Sequence, residues 1–240
     1  MADRQALGRP EQPAPALLPL QAQRTRIKIC GFTREADVDA AVAAGVDALG
    51  FVLYPKSPRY ISPQRAAELA RRLPPFVTPV LLFVNESAAV ITQATSLVPQ
   101  ALLQLHGDET PAFSNSLHRP YIKAARLPLN PAEDFDLPSF CADFSAAQGI
   151  LLDAKVDSFG GSGLGFDWAR IPQPFPQQLI LSAGLKPETV AQAVTQLAMY
   201  ASSFAVDVSS GVELAPGIKD AGKMLAFCQA VRAADAARGR

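Results

Sequence analysis

Two apolar runs of the sequence end on side chains able to move protons. Cys30 follows Ile27-Lys28-Ile29, and Asp153 follows Gly149-Ile150-Leu151-Leu152. A cysteine in that setting is either a small buried hydrophobe or, if it faces an opening, a base or nucleophile. An aspartate closing a wholly apolar run either caps the next turn or, desolvated near another acid, keeps its proton and serves as a general acid. Asp207, in Ala205-Val206-Asp207-Val208, has the same character. Lys123, in Tyr121-Ile122-Lys123-Ala124, reads as a Schiff-base lysine or as a mid-strand charge paired in the interior; the second reading is preferred.

Other polar residues sit at comparable places. One run leads into Tyr54-Pro55-Lys56-Ser57-Pro58-Arg59-Tyr60, and another ends at Gln104 and His106. Two loops of small residues, Ser182-Ala183-Gly184 and Ser209-Ser210-Gly211, let backbone N–H groups approach an anion, and a helix N-terminus behind such a loop adds its dipole. Ser182, Gly184, Ser210 and Gly211 are therefore candidates for holding a phosphate. Gly160-Gly161-Ser162-Gly163-Leu164-Gly165 reads as a lid or hinge. It lacks the G-x-G-x-x-G spacing of a dinucleotide loop.

These residues need a scaffold that gathers strand ends. Eight short apolar runs alternate with amphipathic helical stretches: Arg26–Cys30, Ala48–Leu53, Val77–Val84, Ala101–Leu105, Tyr121–Ala125, Ile150–Asp153, Leu179–Ser182 and Phe204–Val208. Continuous apolar runs, buried on both faces, belong to parallel sheets. Ser62 and Pro63 open a helix whose inner face is Ala66, Leu69, Ala70 and Leu73. Thr33 opens another that Gly45 closes, and Pro187 with Glu188 begins a third. Eight strand–helix units of about 27 residues each fit an α/β fold, a compact (β/α)₈ TIM barrel over residues 24–240, with chemistry at the C-terminal strand ends. A doubly wound sheet would want a glycine-rich first turn, and Cys30-Gly31-Phe32-Thr33 is not one. The run between Pro131 and Gln148 is the least clear, and the helix after Gly165 reads as short. Residues 1–23, rich in proline and without periodicity, read as a disordered extension, neither signal peptide nor part of the barrel.

Composition narrows the partners. Lys plus Arg and Asp plus Glu are each 22 of 240 residues, so the net charge is zero and nothing draws the chain to nucleic acid. No apolar run is long enough to span a membrane. Three scattered cysteines exclude a disulfide framework and a thiolate zinc site, and they suit a reducing, cytoplasmic setting. Two histidines, His106 and His118, are too few for a histidine-rich metal site. A monomer is the default expectation.

The motifs in this order resemble one family, phosphoribosylanthranilate isomerase of the tryptophan pathway. The resemblance is carried by Lys28-Ile29-Cys30-Gly31, Gly50-Phe51-Val52, the stretch from Tyr54 to Pro63, and Phe83-Val84-Asn85. It continues through Gln104-Leu105-His106-Gly107-Asp108-Glu109, Leu151-Leu152-Asp153, Gly160-Gly161-Ser162-Gly163, Phe166-Asp167-Trp168, Ala205 to Glu213, and Pro216 to Asp220. It implies a (β/α)₈ barrel that performs an Amadori rearrangement on a small phosphoribosyl substrate, with no metal or cofactor. It further implies that Cys30 takes the C2 proton and Asp153 protonates the ring oxygen. Arg59 helps hold the anthranilate end, and Asp207, His106 and the two phosphate loops complete the pocket. Ala183 departs from the glycine usual in that loop.

Two other readings compete. One is another phosphosugar isomerase, epimerase or synthase on the same barrel: a histidine-pathway-type isomerase would favour an aspartate over Cys30 on the first strand, and a metal-dependent epimerase would need more histidines. A catalytically idle barrel that binds phosphometabolites need not keep both Cys30 and Asp153. The isomerase chemistry needs a thiolate and a carboxylic acid together, although ordinary values, roughly 8.5 and 3.9, favour the reverse. The site is therefore expected to raise the Asp153 value, lower that of Cys30, or work through a small active fraction. Lys28 and Lys123 would hold a thiolate only if they face the mouth.

Overall fold

The structure is a computed structural model that describes residues 24–128, 135–153, 171, 175, 177–182, 184–201 and 203–239. The proline-rich extension, the glycine-rich loop at 160–165, the short helix expected behind it, and Ala183 lie outside the described residues.

Eight strands close into one parallel barrel in chain order. They are β1 (Arg26–Cys30), β2 (Ala48–Val52), β3 (Thr78–Phe83), β4 (Leu102–Leu105), β5 (Tyr121–Arg126), β6 (Gly149–Asp153), β7 (Gln178–Ser182) and β8 (Phe204–Val208). β1 closes the ring by pairing with β2 on one side and β8 on the other. All eight expected runs are strands, with ends that differ by no more than one residue.

Helices α1 (Glu35–Ala44), α2 (Pro63–Ala70), α3 (Ala88–Leu97), α4 (Pro111–Ser116), α5 (Leu137–Asp143), α6 (Val190–Leu197) and α7 (Ala221–Ala237) surround the barrel. Ser62 caps α2 by accepting from the Arg65 N–H, with Pro63 in the first turn, as its sequence dictates. Gly45 ends α1 at φ 78°, a conformation glycine adopts freely. Two expected starts move inward. Thr33 does not cap α1, which begins at Glu35, because its hydroxyl donates to the Gly217 carbonyl at 2.5 Å. α6 begins at Val190 because Thr189 Oγ1 is tied to the Lys186 backbone in a turn.

Strand residues alternate between two apolar layers. Ile27, Ile29, Leu49, Phe51, Leu81 and Phe83 point outward into the large core shared with the helices. Ile122, Ala124, Leu151, Ile180 and Ala205 fill the barrel interior, and Cys30 packs above them with Val52 and Leu82. This parity decides which polar residues reach the mouth. Lys28 and Asp207 share the inward face, whereas Lys123 points out, toward the helices. Beyond β8, a 3₁₀ turn (Ser210–Val212) and the hairpin β9 (Glu213–Ala215) and β10 (Ile218–Lys219) lead into α7.

Candidate active site

Cys30 and Asp153 are the last residues of β1 and β6, both facing inward at the C-terminal end of the barrel. Cys30 is buried, and Gly50 lies beside it in register on β2. A Cβ at position 50 would stand 2.5 Å from Cys30 Sγ, so only glycine leaves room for the thiol. The Cys30 carbonyl accepts from Ser209 Oγ at 2.9 Å and from Lys219 Nζ at 2.5 Å. Those bonds fix the strand end that aims the thiol.

The electrostatics of Cys30 are divided. Burial pushes the thiol above its ordinary value; Lys28, and more weakly Lys219, pull it down, and Asp207 pushes it up. The net direction is upward, so of the three expected alternatives a lowered Cys30 value is not the one found. The cause is burial, which outweighs Lys28; that lysine is itself paired, its Nζ 2.9 Å from Asp207 Oδ1 and hidden from solvent. Burial alone would lower the Lys28 value, but Asp207 and Cys30 outweigh it and keep it raised. Lys123 faces away from the thiol. It is buried on the outward face, 2.7 Å from Glu109 Oε2, 2.8 Å from the Gly107 carbonyl and 5.4 Å from the Phe144 ring centroid. That is the paired interior charge the sequence suggested, not a Schiff-base lysine.

Asp153 meets His106: Nε2 is 3.1 Å from Oδ2. The other ring nitrogen of His106 lies 3.0 Å from Gln104 Nε2. β4 presents Gln104 inward, and His106 follows two residues later on the same face.

Arg59 reaches the mouth from the loop after β2. Its guanidinium forks onto Glu213, Nε to Oε1 at 2.8 Å and Nη2 to Oε2 at 2.6 Å. The hydrogen bond to Glu213 raises the Arg59 value. Burial works against the Glu213 charge, but Arg59 and Lys219 outweigh it and hold that carboxyl low. Gly31, at φ 89°, brings the backbone behind Cys30 against this side chain, where an added Cβ would stand 2.6 Å from Arg59 Cδ. Glu213 and Lys219 were not singled out from sequence as site residues. Each is recognisable only by a partner far along the chain, Arg59 and Cys30 respectively.

The two small-residue loops adjoin. Ser182 ends β7 beside Asp153 in register, and Gly184 adopts φ 61°. Ser210 and Gly211 form the 3₁₀ turn. Gly211 packs so tightly on the Leu185 carbonyl that a Cβ would collide with it. Among the described residues, no group of three or more His, Cys, Asp or Glu is placed to hold a metal ion. None of the described helices is long and apolar enough to cross a membrane.

Comparison with known proteins adds a family. The family model described as N-(5'phosphoribosyl)anthranilate (PRA) isomerase matches residues 27–230. The N-(5'-phosphoribosyl)anthranilate isomerase of Leptothrix cholodnii is 54% identical over 217 residues, 90% of this chain and 95% of that protein. The one from Methylibium petroleiphilum is 55% identical over 213 residues, 89% of this chain and 96% of that protein. Among solved structures, phosphoribosyl anthranilate isomerase from Thermotoga maritima superposes with a TM-score of 0.75 at 39% identity, covering 87% of this chain and 99% of that one. A phosphoribosyl anthranilate isomerase in complex with reduced 1-(o-carboxyphenylamino)-1-deoxyribulose 5-phosphate superposes at 0.73 and 36% identity, with coverages of 87% and 99%.

Proposed function

The chain belongs to the N-(5'-phosphoribosyl)anthranilate isomerase family of tryptophan biosynthesis, and from that premise we propose that Cys30 and Asp153 carry its two proton transfers. The family reaction opens the ribosyl ring and moves a proton from C2, giving the 1-amino-1-deoxyribulose phosphate. Asp153 gives its proton to the ring oxygen while the C1–O bond breaks toward that oxygen. The anthranilate nitrogen supplies the electron pair, forming a C1=N⁺ bond. Cys30 thiolate then removes the C2 proton; the C–H pair becomes C1=C2 and the C1=N pair returns to nitrogen. The enol tautomerises to the ketone.

The observation that carries this reading is the placement of Cys30 and Asp153 at the ends of β1 and β6, both inward at one mouth. A base and an acid then meet the sugar from different sides. Ser182, Gly184, Ser210 and Gly211 surround the phosphate, presenting backbone N–H groups from two adjoining loops. Arg59 binds the anthranilate carboxylate with the guanidinium edge left free by Glu213. Asp207 acts at a distance, setting the charge of Lys28 below the thiol. The exposed large apolar residues, among them Phe76 before β3, Met199 after α6 and Leu214 on β9, lie far apart along the chain, which favours a monomer. A biosynthetic enzyme of this kind works in the cytoplasm.

Single substitutions test the assignment. Cys30→Ala and Asp153→Asn should each lower kcat by at least about 10²-fold, the lower end for losing a general base or acid. A Cys30→Ala enzyme with wild-type kcat would overturn the choice of base.

A further inference from the structure

Among the described residues, the Asp153 carboxyl has one hydrogen-bond partner, the His106 imidazole, and the far side of that ring meets Gln104. Gln104 is 1% exposed. Its Oε1 is buried with no partner among the described residues. An orphaned buried acceptor costs about 1–3 kcal/mol. Stability therefore gives no reason to keep a carboxamide where an apolar side chain would fit the interior.

We propose that Gln104 is a positioning residue for the acid step, fixing the tautomer of His106; this rests on the assignment of Asp153 as the acid. The Gln104 Nε2–H donates to His106 Nδ1, so Nδ1 carries no proton. The single proton of the neutral imidazole is then on Nε2, donated to Asp153 Oδ2. Two consequences follow from the chemistry. Oδ2 is occupied as an acceptor, so the proton delivered to the ring oxygen resides on Oδ1. When it leaves, the carboxylate left behind already faces an N–H donor, and charge forming in the transition state meets a fixed dipole. In the opposite tautomer the Nε2 lone pair would face Asp153, accept its proton and hold it away from the sugar. The turned carboxamide would stabilise that unproductive state.

The test combines nitrogen NMR of the imidazole with kinetics on the full chain. His118→Asn leaves one histidine to observe, and Asn tolerates the positive φ of that position. Wild-type His106 should be the Nε2–H tautomer. Gln104→Met should release it toward Nδ1–H, and Gln104→Glu, which can only accept, should enforce protonation at Nδ1. Both should lower kcat about tenfold or more while KM stays within about twofold, because Gln104 lies behind His106 rather than against substrate. A wild-type Nδ1–H tautomer overturns the proposal even if both variants fail to fold. So does an unchanged kcat, or an unchanged tautomer, in a folded variant. Asp153→Asn, run in parallel, separates the failures. If it stays active, the acid itself is misassigned; if it is dead while Gln104→Met is unimpaired, only the positioning role falls.

Discussion

Cys30, the proposed base, is held toward its protonated form. Burial raises its value more than Lys28 and Lys219 lower it, so below the ordinary thiol range, roughly 8.5, little thiolate is present. In the proposed mechanism the reactive species is the deprotonated thiol, and its fraction grows as pH rises toward the raised value. The rate kcat/KM should therefore climb from neutral pH into the alkaline range. The residual activity of Cys30→Ala should not show that climb. A flat or falling wild-type profile over that range would contradict a thiolate base. Gly50 offers a second handle on the same atom. An alanine there must displace Cys30, since its Cβ would stand 2.5 Å from Sγ and 3.0 Å from the Cys30 Cα. Misplacing a reacting group by about 1 Å can cost about 10²-fold. Gly50→Ala should approach that loss with its circular dichroism unchanged, and a fully active Gly50→Ala would show that the thiol has slack.

The strands β1, β6, β7 and β8 were legible in the sequence, because short, mostly apolar runs with a polar residue at or near the end have few other uses. Cys30, Asp153 and Asp207 were legible for the same reason. What was not legible depends on parity and on partners. Lys28 and Lys123 look alike in sequence, each a lysine inside an apolar run. One faces inward to Asp207, 179 positions away, and the other outward to Glu109. Thr33 looks like a helix cap, but the hairpin of β9 and β10 supplies a carbonyl that competes for it. The closeness of the two small-residue loops likewise appears only in the fold, where Gly211 seats the 3₁₀ turn on the backbone behind β7. Gly211→Val should force that turn away from Leu185. Inorganic phosphate should then bind at least about tenfold more weakly as a competitive inhibitor, the scale of losing one charge-assisted hydrogen bond. Unaltered phosphate inhibition in a folded variant would remove this loop from the site.

A closed barrel has no free sheet edge, so its first strand must be fastened from both sides, and this chain also fastens it from its end. Thr25, just ahead of β1, donates its N–H to Asp235 Oδ2 at 2.8 Å and its hydroxyl to Oδ1 at 2.7 Å. Asp235 belongs to α7, 210 positions later, and both residues are buried. Arg238 closes the group by pairing with Asp235, reaching the Val194 carbonyl at 2.7 Å and lying over the Phe204 ring. The start of β1, the last helix, α6 and β8 thus meet at one carboxylate. Asp235→Ala would leave two donors of Thr25 and a guanidinium without their acceptor. Removing one partner of a buried charged pair costs about 3–5 kcal/mol. For a domain of this size each kcal/mol shifts Tm by about 2–4 °C, so Asp235→Ala should lower Tm by about 10 °C. Deleting residues 1–23 touches none of these contacts, because every ladder partner of β1 and the whole Thr25 group lie within 24–239. The truncated chain should melt with the full one and keep its kcat. A truncation as damaging as Asp235→Ala would mean that the extension, and not the C-terminal helix alone, secures the first strand.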